Sequence, residues 1–497
     1  MNRWIQILGV GLACAAGSPN FAAEIPDRPE KLQFPPLKYE PPRAADYRVV
    51  LKAGPVAYVV PDRELPLVNI SVLVRVGDHV VPAGKEGLAR LAGYLIANSG
   101  TASRTAEELE ERLAFLAAQL SSAVADTQGS VGLSLLSKDL DEGLAILREV
   151  LTAPRWQEDK ITLRKQQALQ SMKERNDDSA TIERRELGFL AYGESFFVNR
   201  QTTAASLEGI TKEDISGFHK KYFHPANFVV SVSGDFEREA MIAKLEKLFA
   251  DWPFKGETAP PIPTDVKMAE PGIYVVNKDV NQGRVSVALP GIKTDDPDYF
   301  AGDVMNDILG GGGFTSRIMS RVRSDEGLAY SAGSALPGGT YYPLAFRAAF
   351  QSKSRTVAYA TSLVLEEMRK IAAQPVTDEE LKTAKQSSIE TFPRTFASKR
   401  ATAGVFAQDE FTGRYAKNPT YWQTYRDKIA AVTTADVQRV AKRLLDPDKA
   451  VILIVGEKKE IVLGHSNHTV KLEELSKGKL HTVPLRDPLT MKPMAAE

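Results

Sequence analysis

The chain has 497 residues, 43% of them hydrophobic, enough apolar material for roughly two to four domains with buried cores. Lys+Arg and Asp+Glu each number 63, so there is neither the basic field of a nucleic-acid binder nor an acidic tail, and charge nominates no partner. The single cysteine, Cys14, excludes a disulfide framework.

Arg3, the apolar stretch Trp4 to Ala16, the breaker Gly17-Ser18-Pro19 and Phe21-Ala22-Ala23 predict a signal peptide over 1–23, cleaved near Ala22 or Ala23. It is too short to span a bilayer stably, and export to the periplasm is expected. Cys14 would then leave with the signal, and the mature chain would carry no thiol to mispair in an oxidising compartment. Gly11-Leu12-Ala13-Cys14 is weakly like a lipoprotein site, with the Leu one place off, which makes anchoring through Cys14 a minor alternative. No other run approaches the ~20 apolar residues of a membrane helix, so no transmembrane segment is expected. Six prolines from Pro26 to Pro42 make 24–45 an extended tether.

Leu67 to Val76 alternates as a half-buried strand, and Gly87 to Ala97 reads as a helix. Thr105 and Glu108 form a capping-box pattern ahead of Leu109, Leu113, Leu116 and Leu120 at helical spacing. Val131, Leu133 and Leu135 return to period two, and Leu140, Leu144, Leu147 and Leu151 make another amphipathic helix. Strands interleaved with capped helices predict an α+β fold, sheets covered by helices.

A repeat runs through this pattern. Ile210-Thr211 with Asp214, Pro225, Val229-Val230 and Gly234 is echoed by Val432-Thr433 with Asp436, Pro447, Val451-Ile452 and Gly456, every pair offset by 222 (456 − 234 = 222). The preceding helix recurs too, Pro154 to Lys173 matching Pro375 to Gln386. An ordered series of this kind argues for duplication.

Within the second copy, Gly310 to Gly313 remove side chains and permit positive φ, and Ser316 to Asp325 reads as a helix carrying Arg317, Arg321 and Arg323. Gly327 is placed for a left-handed helix end, and Tyr330 opens a strand-like segment. Arg323 and Tyr330 are thus expected on either side of a turn, two donors that could face a carbonyl or a developing oxyanion. A flexible loop and a core tyrosine are the plainer alternatives on spacing alone.

The glycine run, Phe314-Thr315-Ser316-Arg317, and Arg323 followed by Tyr330 within Glu326 to Ser331 closely resemble the C-terminal half of the M16 (pitrilysin, mitochondrial processing peptidase, insulinase) family. The resemblance extends from about Tyr47 to Gly456. It implies that Arg323 and Tyr330 bind the substrate backbone and stabilise the tetrahedral intermediate, and that Gly310, Gly311, Gly312, Gly313 and Phe314 contact the peptide. It also implies two tandem α/β-roll domains of mixed or antiparallel sheet enclosing a cavity. Their expected bounds are 46–250 and 272–457, with a linker at 251–271 and a polar tail at 458–497 that wraps the surface or is partly disordered.

Active members of the family carry an inverted zinc motif, HxxEH, in the first half, two His holding zinc and the Glu activating water. Here the flanks fit, but Arg90 and Tyr94 occupy the ligand positions and Gly93 that of the base. Arg stays protonated and repels the ion, and Gly has no proton to move. The third ligand, a Glu, should fall within Lys165 to Ser171, a segment with no acid. His79, His219, His224, His465, His468 and His481 form no zinc motif elsewhere, and His465 with His468 is expected to be solvated. No metal is therefore expected in this chain, and zinc is expected in a partner.

The pattern resembles the non-catalytic chain of two-subunit M16 enzymes, acting on peptides or unfolded proteins beside an HxxEH-bearing homologue. Asn176-Asp177-Asp178 and Arg184-Arg185-Glu186 also look like that class, or like a solvated helix face. A structural or peptide-binding protein on the same scaffold is the alternative, and an independent hydrolase has little support, since no GxSxG motif is present.

Overall fold

The computed structural model describes residues 38–495 together with Arg28 and Leu32, so the predicted signal peptide, Cys14 and most of the tether lie outside the described residues. Contacts divide the chain into Met1–Tyr39, whose described residues carry no helix or strand, and the compact unit Glu40–Glu497. In the first half of that unit, β1 (Arg48–Val50), β2 (Val56–Pro61), β3 (Leu67–Val74), β4 (Gln119–Val124), β5 (Gly129–Leu136) and β6 (Phe228–Gly234) form a sheet ordered β1-β2-β6-β3-β5-β4. In the second, β7 (Gly272–Asn277), β8 (Gln282–Ile292), β9 (Ala329–Ala335), β10 (Leu344–Lys353), β11 (Val451–Gly456) and β12 (Lys479–Val483) order as β12-β7-β11-β8-β10-β9. The run β2-β6-β3-β5-β4 and the run β7-β11-β8-β10-β9 are one topology twice. Each opens on a parallel pair and continues antiparallel to a free edge, β4 or β9.

The repeat has a local cause. The helices Lys212–Tyr222 and Thr434–Leu444 each start at a closed capping box, Thr211 with Asp214 and Thr433 with Asp436, and each leads through a proline turn into the central strand, β6 or β11. Both strands are buried along their whole length, as the β-branched runs require.

In the first half, α1 (Leu88–Asn98) lies against β4, and α2 (Ala106–Phe115) begins at the predicted capping box of Thr105 and Glu108. Leu120 is not on α2. The helix ends at its cap, Leu116, Ala117 turns with φ 49°, and Leu120 pairs with Leu133 across β4 and β5. Cross-strand burial there overrides a spacing that also fits a helix. Further helices are α3 (Leu140–Thr152), α4 (Glu158–Lys173) and α5 (Ser179–Tyr192).

The halves trade covering helices. α5, from the first half, packs on β8 and β11, with Ile182 buried among Tyr274, Val276, Leu453 and Val455. Its Glu183 accepts from Ser286 Oγ at 2.6 Å and Arg347 Nη2 at 2.8 Å. The helix Lys399–Thr412, from the second half, packs on β2 and β6. Phe406 stacks with Tyr47 and packs tilted against Tyr58, and Glu410 takes a two-pronged bond from Arg48, both arms 3.0 Å, and a third from the Tyr58 hydroxyl. Each foreign helix thus brings an apolar side chain and one satisfied carboxylate to the sheet it covers.

The tail is an ordered strap. Beyond supplying β12, parallel to β7, it returns to the first half: Asn176 Nδ2 donates to Arg486 O at 2.8 Å, Arg175 Nη1 to Pro488 O at 3.0 Å, and Ala204 N to Leu489 O at 2.8 Å. Among the described residues no helix is long and apolar enough to cross a membrane.

Candidate functional site

The glycine run is held by packing as much as by conformation. Gly310 lies against the Gly333–Ser334 backbone, where a side chain would begin 2.5 Å from Ser334 Oγ, and one at Gly312 would begin 2.7 Å from Asp307 O. Only Gly313 of the four takes positive φ, 64°, with open space beside it. The segments Asp307–Gly311 and Ser320–Asp325 are π turns, the second wider than the α-helix the sequence suggests over Ser316 to Asp325. Such widened turns re-aim side chains, and they are frequent at functional sites. Gly327 closes the second one at φ 64°, as its position predicts.

These turns bring three predicted residues together. The Arg323 guanidinium lies 4.7 Å from the centroid of the Phe314 ring and 4.8 Å from that of Tyr330. Both rings face solvent, Phe314 at 69% exposure and Tyr330 at 85%, unusual for large aromatics that serve only packing. The other arginines of the run are claimed: Arg317 forks onto Glu380 at 2.6 and 2.9 Å, and Arg321 meets Glu326 at 2.8 Å. Among the described residues Arg323 donates to no oxygen. Its charge is held in place by ring faces while its N–H groups stay open. Tyr330 stands at the start of the free edge strand β9, and a cavity of about 1060 Å³ adjoins the pair, with Gln282, Lys353, Glu460 and His465 in its wall.

The degenerate zinc positions lie in the other half, on α1. Gly93 rests on β4, where a side chain would begin 2.8 Å from the Ala123 carbonyl carbon and nearer still to Val124 N. Ser122 Oγ donates to Gly93 O at 2.5 Å and locks that approach. Arg90 bridges Asp78 at 3.0 Å and Asp126 at 2.5 Å; burial pushes the Asp78 carboxyl up to about 6, against the pull of Arg90. Tyr94 is covered by Arg164, whose guanidinium stacks 4.2 Å above the ring. On α4, in the segment that would hold a third ligand, Lys165 donates to Ile210 O at 2.5 Å. This donor set does not fit zinc, and among the described residues no group of three or more His, Cys, Asp or Glu side chains could hold a metal.

The histidines serve structure. His219 is buried with Nε2 3.0 Å from Leu151 O, and His224 Nε2 lies 2.9 Å from Glu257 O. His465 and His468, expected to be solvated, pair across a tight bridge, and His468 stacks 3.7 Å over Tyr359. Arg185 and Glu186 are likewise no solvated face: both are buried, and they pair at 2.9 Å. Asp178 caps α5. Sequence reasoning passed over Arg164 and Arg175, although two arginines around the acid-free segment opposite Arg90 were visible as a reversal of the charge that a metal site needs.

The chain matches the profile of Insulinase (Peptidase family M16) over residues 59–191 and that of the Peptidase M16 inactive domain over residues 209–388. It is 23% identical over 284 residues to an uncharacterized zinc protease of Rickettsia bellii (strain RML369-C), covering 54% of this chain and 65% of that relative, less than two thirds of the relative's length. A Helicobacter pylori (strain ATCC 700392 / 26695) protein named non-peptidase homolog YmxG is 26% identical over 334 residues, 66% of this chain and 76% of its own. A crystal structure of a peptidase M16 inactive domain from Pseudomonas fluorescens shares the fold with a TM-score of 0.73 at 23% identity, over 82% of this chain and 97% of that one.

Proposed function

Because the chain belongs to the M16 peptidase family, we propose that it is a non-catalytic subunit of a two-chain peptidase, gripping a peptide for a partner that carries HxxEH and zinc. The observation that carries this reading is Arg323, whose donors are open while stacking on Phe314 and Tyr330 fixes its position. A peptide laid along the edge of β9 would bring a carbonyl to Arg323 N–H and Tyr330 O–H. As that carbonyl carbon is attacked its oxygen gains charge, and both hydrogen bonds strengthen without either group giving up its proton. Phe314 and the glycine loop bound the path of the chain, and the small residues let the peptide backbone come close. The substrates are taken to be peptides or small unfolded proteins, met in the periplasm after export.

Co-expression with an HxxEH-bearing M16 homologue of the source organism tests this. The expected result is a stable complex, burying well over ~1,200 Å², that cleaves a fluorogenic peptide which neither chain cleaves alone. Failure to co-purify with any such homologue would overturn the proposal in favour of a peptide-binding or structural role without proteolysis.

A further inference from the structure

A cavity of about 260 Å³ opens between α1 and α4, beside the degenerate zinc positions. Arg90, Arg164 and Arg175 line it together with the buried Leu91, Met172 and Leu207. The charge there is only partly compensated. Arg90 shares one nitrogen between Asp78 and Asp126, but among the described residues neither Arg164 nor Arg175 meets a carboxylate. Arg164 lies on Tyr94 and reaches only Gln167 Oε1, at 3.3 Å; Arg175 gives one nitrogen to Pro488 O. Burial first, and then the charge of Arg185, hold the Arg175 guanidinium below the usual arginine value, and the opposite charge of an anion there would offset both costs.

We propose that this cavity binds the carboxylate end of a peptide whose last residue is apolar. Planar guanidinium groups match a carboxylate in two-pronged geometry, and the acid-free face of α4 leaves that match unopposed. The apolar floor decides between anions. A small inorganic ion would leave Leu91, Met172 and Leu207 uncovered, whereas a C-terminal residue carries an apolar side chain beside its carboxylate. A segment built around cation ligands in active relatives thus becomes, with its charge reversed, a site for an anion.

The test is calorimetric titration of the purified chain with an N-acetylated Ala-Ala-Leu peptide carrying a free carboxylate, and with its C-terminal amide. The free acid should bind and the amide should bind roughly tenfold to a hundredfold more weakly, the loss expected for a charged hydrogen-bond partner. Arg164→Gln, at a partly buried position that anchors no backbone, should weaken the acid by a similar factor with unchanged Tm, and excess inorganic phosphate should not displace the peptide. Equal affinity for acid and amide, binding of neither, an Arg164→Gln variant that binds the acid as well as the parent, or displacement by phosphate would each overturn the assignment. The measurement needs no partner and no proteolysis, so its failure would leave the reading of Arg323 and Tyr330 untouched.

Discussion

Tyr330 offers a donor that the removal of one oxygen atom takes away. In the proposed two-chain complex Tyr330→Phe would keep the ring on Arg323 and should lower kcat by roughly 10²–10³ with little change in KM, because on that proposal the lost bond matters most once the carbonyl oxygen is charged. Arg323→Ala would also remove the proposed ground-state contact to the peptide backbone and should raise KM as well. Steady-state kinetics with zinc analysis separates the two, and full kcat in Tyr330→Phe would reduce the pair to a packing feature. His219 makes a stability prediction. Buried between Trp156 and Phe223, it is held neutral, burial pulling its imidazolium down to about 4. In the unfolded chain it titrates near ~6.5, so as pH falls the unfolded state takes up this proton first. Stability present in full above ~6.5 is therefore lost as pH falls toward 4, on the order of 3 kcal/mol from this group. Urea midpoints at about pH 7.5 and about pH 5 should show a smaller difference in His219→Phe than in the parent.

At the scale of elements, the seat of α1 on β4 explains why the zinc motif cannot simply be rewritten. Arg90→His, Gly93→Glu and Tyr94→His together would push a side chain into the Ala123–Val124 backbone. The variant should lose about 1–3 kcal/mol of stability, read as a lower Tm, and bind no stoichiometric zinc. One zinc per chain in that variant would contradict the geometry of α1 and α4. What the sequence made legible at this scale is what local chemistry decides. The capping boxes at Thr105, Thr211 and Thr433 stand where expected, since a cap needs only residues three positions apart. Arg323 and Tyr330 face each other because Gly327 sets one turn. What stayed hidden depends on distant partners. Leu120 fits a helix until β5 claims it, the glycine run looks flexible until Ser334 is seen behind Gly310, and Arg185–Glu186 looks solvated until the tail covers it. Phe314 was expected at a peptide surface, but its stacking on Arg323 had no signal in the spacing.

For the whole molecule, the traded helices set what holds the halves together. The linker packs along the first half, with Glu257 N donating to Lys221 O and Ala269 N to Leu190 O at the end of α5, while α5 and the helix Lys399–Thr412 each lie on the other half's sheet, and the tail strap crosses between them. A protease site engineered between Thr264 and Asp265, once cut, should leave two fragments that co-elute on size exclusion and part only in denaturant. Fragments that separate in buffer would mean that the exchanged contacts are too weak to hold the fold. The duplication also bears on how the chain reaches this state. Two unlinked copies of one repeat could cover both sheets only by swapping helices about a twofold axis, a bimolecular event that dilution would defeat. Written into one polypeptide, the same exchange meets its partner at an effective concentration fixed by the linker, so refolding should follow first-order kinetics whose rate does not change with protein concentration.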